Sequence, residues 1–423
     1  MCGDGTVDVD ESCDDANLED DDGCDADCQP SAVIEVSAGG SHTCVLTRTG
    51  AVRCWGNGSD GRLGYALFGN VGDNETPASA GNVTVGGLAI ATGTGNRHTC
   101  AIRELGPMRC WGDGADGRLG YANTNDIGDN EAPNAAGDID TLDSPTAITL
   151  GFAHTCAVLE SGGLQCWGLG TNGRLGYSST SSIGDDERPS DVDVVDIGTD
   201  VTAVAAGTAH TCAITVDGDV MCWGLGTDGR LGYANEESVG DDETPASIGV
   251  VDVGGAVTQV SAGDRHTCAL LDGGTVRCWG YGFQGRLGYG NGLVTVGDDE
   301  TPATAGDVDV GGTVTQISVG GTHSCALLEG GTVRCWGTYG LGIPDAGLTI
   351  GDDETPADVG DVDVGGVVVQ ISAGANHTCA VLEGGTVRCW GTGAEGRLGY
   401  GNTNAVGETD TPASAGDVVV FEP

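Results

Sequence analysis

The sequence contains no lysine, and all 16 of its basic residues are arginine. This absence excludes chemistry that needs a side-chain amine, such as Schiff-base catalysis. The 16 arginines are outnumbered by 63 acidic residues, which gives a formal net charge of -47. Because phosphate-rich polymers and anionic lipid surfaces repel such a chain, the composition excludes both as partners.

Long apolar stretches and helical periodicity are also missing. No run approaches the ~18 apolar residues that a membrane-spanning helix needs, so membrane insertion is excluded. Apolar residues show no sustained 3.6-residue period, and the 78 glycines disfavour stable helices. These absences predict an all-β protein.

Cysteine, by contrast, is abundant. The chain has 18 cysteines, an even number that favours an oxidising compartment and therefore an extracellular or cell-surface location. Residues 1–30 form a separate acidic, cysteine-rich module with 12 acidic residues and no basic one. Its four cysteines allow three pairings, among which the sequence does not choose. They are Cys2, Cys13, Cys24 and Cys28.

Residues 31–423 consist of a sevenfold repeat. Every histidine of the chain precedes Thr-Cys or Ser-Cys, at successive spacings of 56, 56, 56, 56, 57 and 54 residues. Every tryptophan lies in a Cys-Trp-Gly tripeptide in the same register. The histidines are His42, His98, His154, His210, His266, His323 and His377.

Each repeat is long enough for a four-stranded propeller blade. The fifth repeat predicts short strands, bounded by glycine-rich turns, at Val250–Val253, Val257–Ala262, His266–Leu271 and Thr275–Gly280. Seven such repeats predict a seven-bladed β-propeller. The C-terminal strand, residues 417–421, is predicted to complete the N-terminal blade and so to close the ring by strand exchange.

Two family resemblances support this organisation. Gly-x-x-His-Thr, a Gly turn, Trp-Gly and Gly-Arg-Leu-Gly, as in residues 263–288, resemble the repeat of the regulator of chromosome condensation family, which implies a seven-bladed propeller. The name-giving member exchanges nucleotide on a small GTPase and docks on chromatin, activities not expected of this acidic, disulfide-rich chain. Residues 2–28 resemble the cysteine-rich repeat of secreted myxobacterial proteins.

The paired cysteines of each repeat predict one disulfide per blade. Cys268 and Cys278 flank the turn Asp272-Gly273-Gly274, which places them opposite each other on adjacent strands. Equivalent spacing predicts seven bridges that stabilise the blades. The pairs are Cys44 and Cys54, Cys100 and Cys110, Cys156 and Cys166, Cys212 and Cys222, Cys268 and Cys278, Cys325 and Cys335, and Cys379 and Cys389.

Two acidic regions raise the question of calcium. In the N-terminal module, Asp14, Asp15, Asn17 and Asp22 crowd one loop and are a candidate calcium site, against the alternative of a merely soluble acidic surface. The Gly-Asp-Asp-Glu-Thr-Pro loops of the repeats are interpreted instead as solvated turns paired with the arginine of Gly-Arg-Leu-Gly. The histidines are interpreted as structural, and no other cofactor is expected.

Binding specificity is expected where the repeats differ. Most aromatic residues recur with the repeat, but Phe68, Tyr281, Phe283 and Tyr339 lie outside it, in the long loops after Trp-Gly. They are the candidate contact residues, with filling of a local loop core as the alternative.

The sequence favours a non-catalytic protein, because a sevenfold repeat offers no asymmetric catalytic constellation. The leading hypothesis is a secreted surface or matrix structural protein that self-assembles into filaments through its N-terminal module. The alternative is a monomeric module that binds a protein or glycan through one propeller face. A catalytic role ranks below both.

Overall fold

Seven small antiparallel sheets stand around a common axis in the computed structural model of the chain. The structure describes residues 3–8, 11–104, 106–292, 295–344 and 349–422. Each sheet contains an inner strand near the axis, a middle strand and a third strand, joined in sequence order. The all-β propeller with seven sheets is therefore confirmed.

The strand bounds repeat with the sequence. The inner strands are Val33–Ala38, Ala89–Thr94, Pro145–Leu150, Val201–Ala206, Val257–Ala262, Val314–Val319 and Val368–Ala373. The middle strands are His42–Thr47, His98–Arg103, His154–Leu159, His210–Thr215, His266–Leu271, His323–Leu328 and His377–Leu382. The third strands are Val52–Gly56, Met108–Gly112, Leu164–Gly168, Val220–Gly224, Val276–Gly280, Val333–Thr338 and Val387–Gly391. A two-residue strand, Thr349–Ile350, extends the sixth sheet.

The helices are single turns that follow the sheets. The α-helical turns are Pro77–Ala80, Pro133–Ala136, Pro245–Ile248, Pro302–Ala305, Pro356–Val359 and Pro412–Ala415. The 3-10 turns are Ser59–Gly61, Ala115–Gly117, Thr171–Gly173, Pro189–Asp191, Thr227–Gly229, Phe283–Gly285 and Ala394–Gly396. Among the residues described, no helix has the length and apolar character that crossing a membrane requires.

A short outer segment completes each sheet. It follows the third strand of that sheet along the chain, and this position corrects two predictions. Val251 donates its N–H to Val220 of the fourth sheet, so the segment predicted as the first strand of the fifth blade lies at the outer edge of the fourth. Val418 likewise donates to Val387 of the seventh sheet, so the predicted closure by strand exchange is wrong. Periodicity shows that a segment is extended but does not show which neighbour it pairs with.

The predicted blade disulfides are confirmed. Cys268 lies opposite Cys278 in the register of middle and third strands, and their Cα atoms are 4.1 Å apart, as in a non-hydrogen-bonded antiparallel pair. The other six blades have the same bridge. The N-terminal module contains a further disulfide between Cys13 and Cys24. Cys28 is also disulfide-bonded, and the predicted Cys2 lies outside the described residues.

The histidines connect each blade to the next. His98 Nε2 lies 2.8 Å from the Thr155 hydroxyl, which in turn is 2.9 Å from the Arg118 carbonyl. Because a carbonyl only accepts, the hydroxyl donates to it and the imidazole donates from Nε2. The same contact joins His42 to Thr99, His154 to Thr211, His210 to Thr267, His266 to Ser324, His323 to Thr378 and His377 to Thr43.

This histidine belt closes the ring, because the His377 contact to Thr43 joins the last blade to the first. Every histidine side chain is 0% exposed, and its Nδ1 atom is buried without a hydrogen-bond partner. Burial lowers the pKa of His154 to about 3 and that of His323 to about 4. The belt is therefore neutral and structural, and no imidazole reaches solvent as a base.

A second inter-blade contact joins the inner strands. In three blades, a glutamine of the inner strand forms two hydrogen bonds with one residue of the next inner strand. Its side-chain oxygen accepts from the backbone N–H of that residue, and its side-chain nitrogen donates to the carbonyl. These residues are Gln259, Gln316 and Gln370. Glu35 occupies the same position in the first blade and accepts from Thr92 N–H. A carboxylate has no proton to donate to the facing carbonyl, and burial raises the pKa of Glu35 to about 7.

Glu35→Gln is expected to stabilise the protein at pH 8 by about 3 kcal/mol, since the amide restores the missing donor. The folded-state pKa of Glu35 is raised, so the native protein gains stability as pH falls below about 7 and the advantage of the variant shrinks. Denaturant titrations of both proteins at pH 8 and pH 5 measure this difference. Gln370→Glu is the matched control and should destabilise at pH 8. Equal differences at the two pH values would contradict the argument.

Candidate binding face

The two ends of the propeller differ in construction. The long-loop face carries the turns between inner and middle strands, such as residues 39–41, and the long loops after Trp-Gly, such as residues 57–70. The Asn57 N–H donates to the Ser41 carbonyl, which places both kinds of loop on this face. The hairpin face carries the tight turns between middle and third strands, such as residues 48–51.

All four exposed aromatic side chains of the described chain lie on the long-loop face. Phe68, Phe283 and Tyr339 are 63%, 44% and 57% exposed and belong to the long loops. Phe152 is 45% exposed and lies in an inner turn, at the mouth of the axial channel. Phe152 also lies outside the repeat, but it precedes the Trp-Gly of its blade and so falls outside the long loops to which the sequence prediction is confined.

Tyr281, the fourth predicted contact residue, is engaged within its own blade. Its ring lies 5.9 Å from the Phe283 ring, and the Arg265 guanidinium stacks 4.0 Å from its centre. The Arg286 guanidinium lies 5.2 Å from the same ring. These contacts fit the alternative of a local loop core for Tyr281, whereas Phe283 presents its ring to solvent.

The arginines of Gly-Arg-Leu-Gly are buried under the long-loop face and form hydrogen bonds with its loops. Arg62 donates from Nε to the Ser59 carbonyl and pairs at 2.5 Å with Asp60. It also contacts the Asn96 carbonyl of the next blade, and Arg174, Arg230 and Arg397 make the same inter-blade contact. The predicted pairing with the Gly-Asp-Asp-Glu-Thr-Pro loops is therefore wrong, because these side chains turn back onto their own loops.

Within the described residues, the carboxylates of the acidic loops form no ion pair with the arginines of Gly-Arg-Leu-Gly. In four loops, three carboxylates place ligand atoms within 4.8 Å of one another, beginning at Asp185, Asp241, Asp298 and Asp352. The crowding has an electrostatic consequence, since burial and the neighbouring Asp353 raise the pKa of Glu354 to about 7. These four loops therefore concentrate negative charge at small clusters.

The N-terminal module lies against the hairpin face, away from the exposed aromatic residues. Arg48, in the first hairpin turn, pairs with Asp25 at 2.6 Å and with Asp27 at 2.9 Å. Thr49 donates to Asp21 at 2.7 Å. The module is thus fixed to the first blade by part of its own negative charge.

The candidate calcium residues of this module are engaged with protein groups. Asp14 accepts N–H bonds from Ala16 and Gly5, and these bonds lower the pKa of its carboxyl group. Asp15 accepts from Cys24 N–H, and Asn17 donates to Asp22 at 2.9 Å. Calcium binding at these four residues stays a prediction.

The seven sheets and the hydrogen bonds that join each blade to the next define a seven-bladed β-propeller. The family model of the RCC1-like domain matches residues 5–342, and that of the regulator of chromosome condensation (RCC1) repeat matches residues 368–397. The chain belongs to the RCC1-like family. The resemblance of residues 2–28 to a myxobacterial cysteine-rich repeat stays a prediction.

Relatives and solved structures agree with this assignment. The ultraviolet-B receptor UVR8 of Arabidopsis thaliana is 32% identical over 88% of this chain and 80% of the receptor. The human E3 ubiquitin-protein ligase HERC2 is 31% identical over 88% of this chain but only 7% of the ligase. Human WBSCR16 superposes with a TM-score of 0.64 at 18% identity, over 82% of this chain and 85% of that protein. Yeast RCC1 (Prp20), solved bound to Kap60, gives 0.64 at 16% identity, over 81% and 78%.

Proposed function

We propose that this chain is a secreted, non-catalytic propeller that binds another protein through its long-loop face. The observation that carries the proposal is the confinement of the four exposed aromatic side chains to that face. Exposed aromatic residues are enriched among the anchors of protein interfaces, where they supply most of the binding energy. The hairpin face exposes aliphatic residues instead and is partly covered by the N-terminal module.

The charge and the relatives support the same proposal. A net charge of -47 favours a basic partner, because complementary charge accelerates encounter and suppresses acidic competitors. Kap60 is a protein bound by one propeller of this fold, yeast RCC1. The eight disulfides of the described residues support secretion. A self-assembling structural role stays a prediction.

Photo-cross-linking tests which face binds. A benzophenone amino acid placed at Phe68 or Phe283 is expected to cross-link the partner in the native surroundings of the protein. The same probe at Val216 or Val367, which are 56% and 49% exposed on the hairpin face, is the matched control and should give several-fold less product. Equal yields from both faces would contradict the proposal, and cross-links to further copies of the chain would favour self-assembly.

A further inference from the structure

The sixth blade departs from the repeat at one place on the long-loop face. Six residues separate Trp-Gly from Leu-Gly in the fifth blade (residues 281–286), but only Thr338, Tyr339 and Gly340 do so in the sixth. The shorter loop lacks the 3-10 turn that the fifth blade forms at Phe283–Gly285. Gly340 takes the place of the arginine, which in the other six blades is only 4–8% exposed.

The shortened loop borders a cavity of about 460 Å³ between the sixth and seventh blades. Its floor is apolar, with Leu341 and Val406 buried and Ile343 beside them. Its rim carries the Tyr339 ring and the exposed Glu408 carboxylate. A volume of this size, with an apolar floor and few polar groups at its rim, is typical of a ligand site.

Tyr339 is held in an unusual backbone conformation at this rim. Its φ is 60°, in the left-handed region that bulky residues avoid, and its side chain is 57% exposed. The six other blades have glycine at this position, with φ between 67° and 77°. A strained, exposed aromatic residue where glycine suffices points to a functional demand on the side chain.

The chemistry of the rim indicates a cationic ligand. In the fifth blade, Arg265 and Arg286 lie over the Tyr281 ring, but Thr322 and Gly340 occupy the equivalent positions of the sixth blade. Within the described part of the chain, no arginine forms an ion pair with Glu408. An aromatic ring and a carboxylate at one rim, in a protein of charge -47, favour a guanidinium group.

We propose that this cavity binds an arginine side chain of a basic partner protein. The alkyl chain would pack on Leu341 and Val406, and the guanidinium would stack on Tyr339 beside Glu408. The proposal rests on the proposed protein-binding function and assigns that function a specific pocket.

Nuclear magnetic resonance titration of the full chain with N-acetyl-arginine amide tests the pocket without a partner. Millimolar arginine amide is expected to shift the amide signals of Thr392 and Gly407, which line the cavity. N-acetyl-citrulline amide, the neutral isostere, should shift them at least several-fold less. Equal shifts from both compounds, or none from either, would overturn the proposal.

Three variants localise the effect. Tyr339→Gly restores the residue of the other blades, so it should keep or raise stability while weakening arginine binding about fivefold. Glu408→Gln should weaken it about threefold, as expected for an exposed charge pair. Asp73→Asn is the matched control, because Asp73 has the same loop position beside the blade that contains Arg397. Unchanged binding in Tyr339→Gly would overturn the proposal.

The outcomes separate this proposal from the more general one. Arginine binding at the pocket without any cross-linked partner would support the pocket and count against the protein-binding function. A partner cross-linked from Phe68 that binds Tyr339→Gly as tightly as the native chain would support the function and overturn the pocket.

Discussion

Reduction of the blade disulfides is expected to lower the denaturant midpoint of the propeller more than any single substitution. Each bridge closes a loop of 10 residues, which corresponds to about 3 kcal/mol from the restricted unfolded chain. The seven contributions will sum to less than seven times this value, because the blades contact one another. The comparison is between oxidised protein and protein refolded in a reductant, since the bridges are buried.

Paired substitutions show which bridges matter. Cys268→Ala with Cys278→Ala should lower the unfolding free energy by about 3 kcal/mol. Cys13→Ala with Cys24→Ala is the matched control and should leave the propeller transition nearly unchanged, because that bridge lies in the N-terminal module. If the reduced and oxidised proteins unfolded at the same denaturant concentration, the disulfides would have no role in stability.

Acidification from pH 7 to pH 5 is expected to destabilise the protein through the histidine belt. The folded-state pKa values are depressed, to about 3 for His154 and about 4 for His323, against 6.5 in the unfolded chain. Below pH 6.5 the imidazoles therefore bind protons in the unfolded state but not in the folded state, and stability falls as pH falls. At pH 5 this amounts to about 2 kcal/mol for His154 and about the same for His323. Burial lowers the pKa values of the other five histidines as well, so they act in the same direction.

Several carboxyl groups with raised pKa values act in the opposite direction. Glu35 and Glu354, with pKa values raised to about 7, add stability as pH falls through the same window. Five further carboxyl groups with raised pKa values are less buried than the histidines, so solvent weakens their contributions. They are Asp126, Glu131, Glu187, Glu243 and Glu300. Denaturant titrations between pH 7 and pH 5 measure the net effect. Between pH 7 and pH 5, His98→Gln should lose less stability than the native protein, by about the contribution of one histidine. Relief of repulsion between carboxylates is the same in both proteins, so it cancels in this comparison.

The imidazole signals provide an independent check on the belt. In the folded protein, the Cε1–H resonances of all seven histidines are expected to stay constant between pH 8 and pH 5, because each ring is buried and bonded through Nε2 to a hydroxyl group. Resonances that titrate near pH 6.5 would mean that the rings are exposed to solvent and would remove the basis of the acid prediction.

The predicted residues differ in how well the sequence placed them. Cys268 and Cys278 were paired correctly because a three-residue turn leaves only one antiparallel register. The segment at Val251 was assigned to the wrong blade, since the chain passes both candidate sheets within a few residues. Arg62 was assigned the wrong partner because Asp60, two residues away, competes with the more numerous but more distant loop carboxylates.

On the candidate binding face, too, some residues were predicted from the sequence and others are evident only from the structure. Phe68, Phe283 and Tyr339 were found as exceptions to the repeat, and the structure places all three on one exposed face. Phe152 was missed because it lies in an inner turn and not in a long loop, and only the assembly of seven blades places that turn at the mouth of the axial channel. The sequence did not predict the cavity beside Tyr339 either, although the sixth blade lacks the arginine of Gly-Arg-Leu-Gly at that place.

The sequence by itself determined the all-β class, the seven repeats and the blade disulfides, because these depend on periodicity and on spacing within about ten residues. Only the tertiary structure decided which sheet each outer segment joins, how the histidine belt closes the ring and where a cavity lies between two blades. Those features depend on contacts between residues about 30 to 330 positions apart, and their geometry follows from packing seven sheets around one axis.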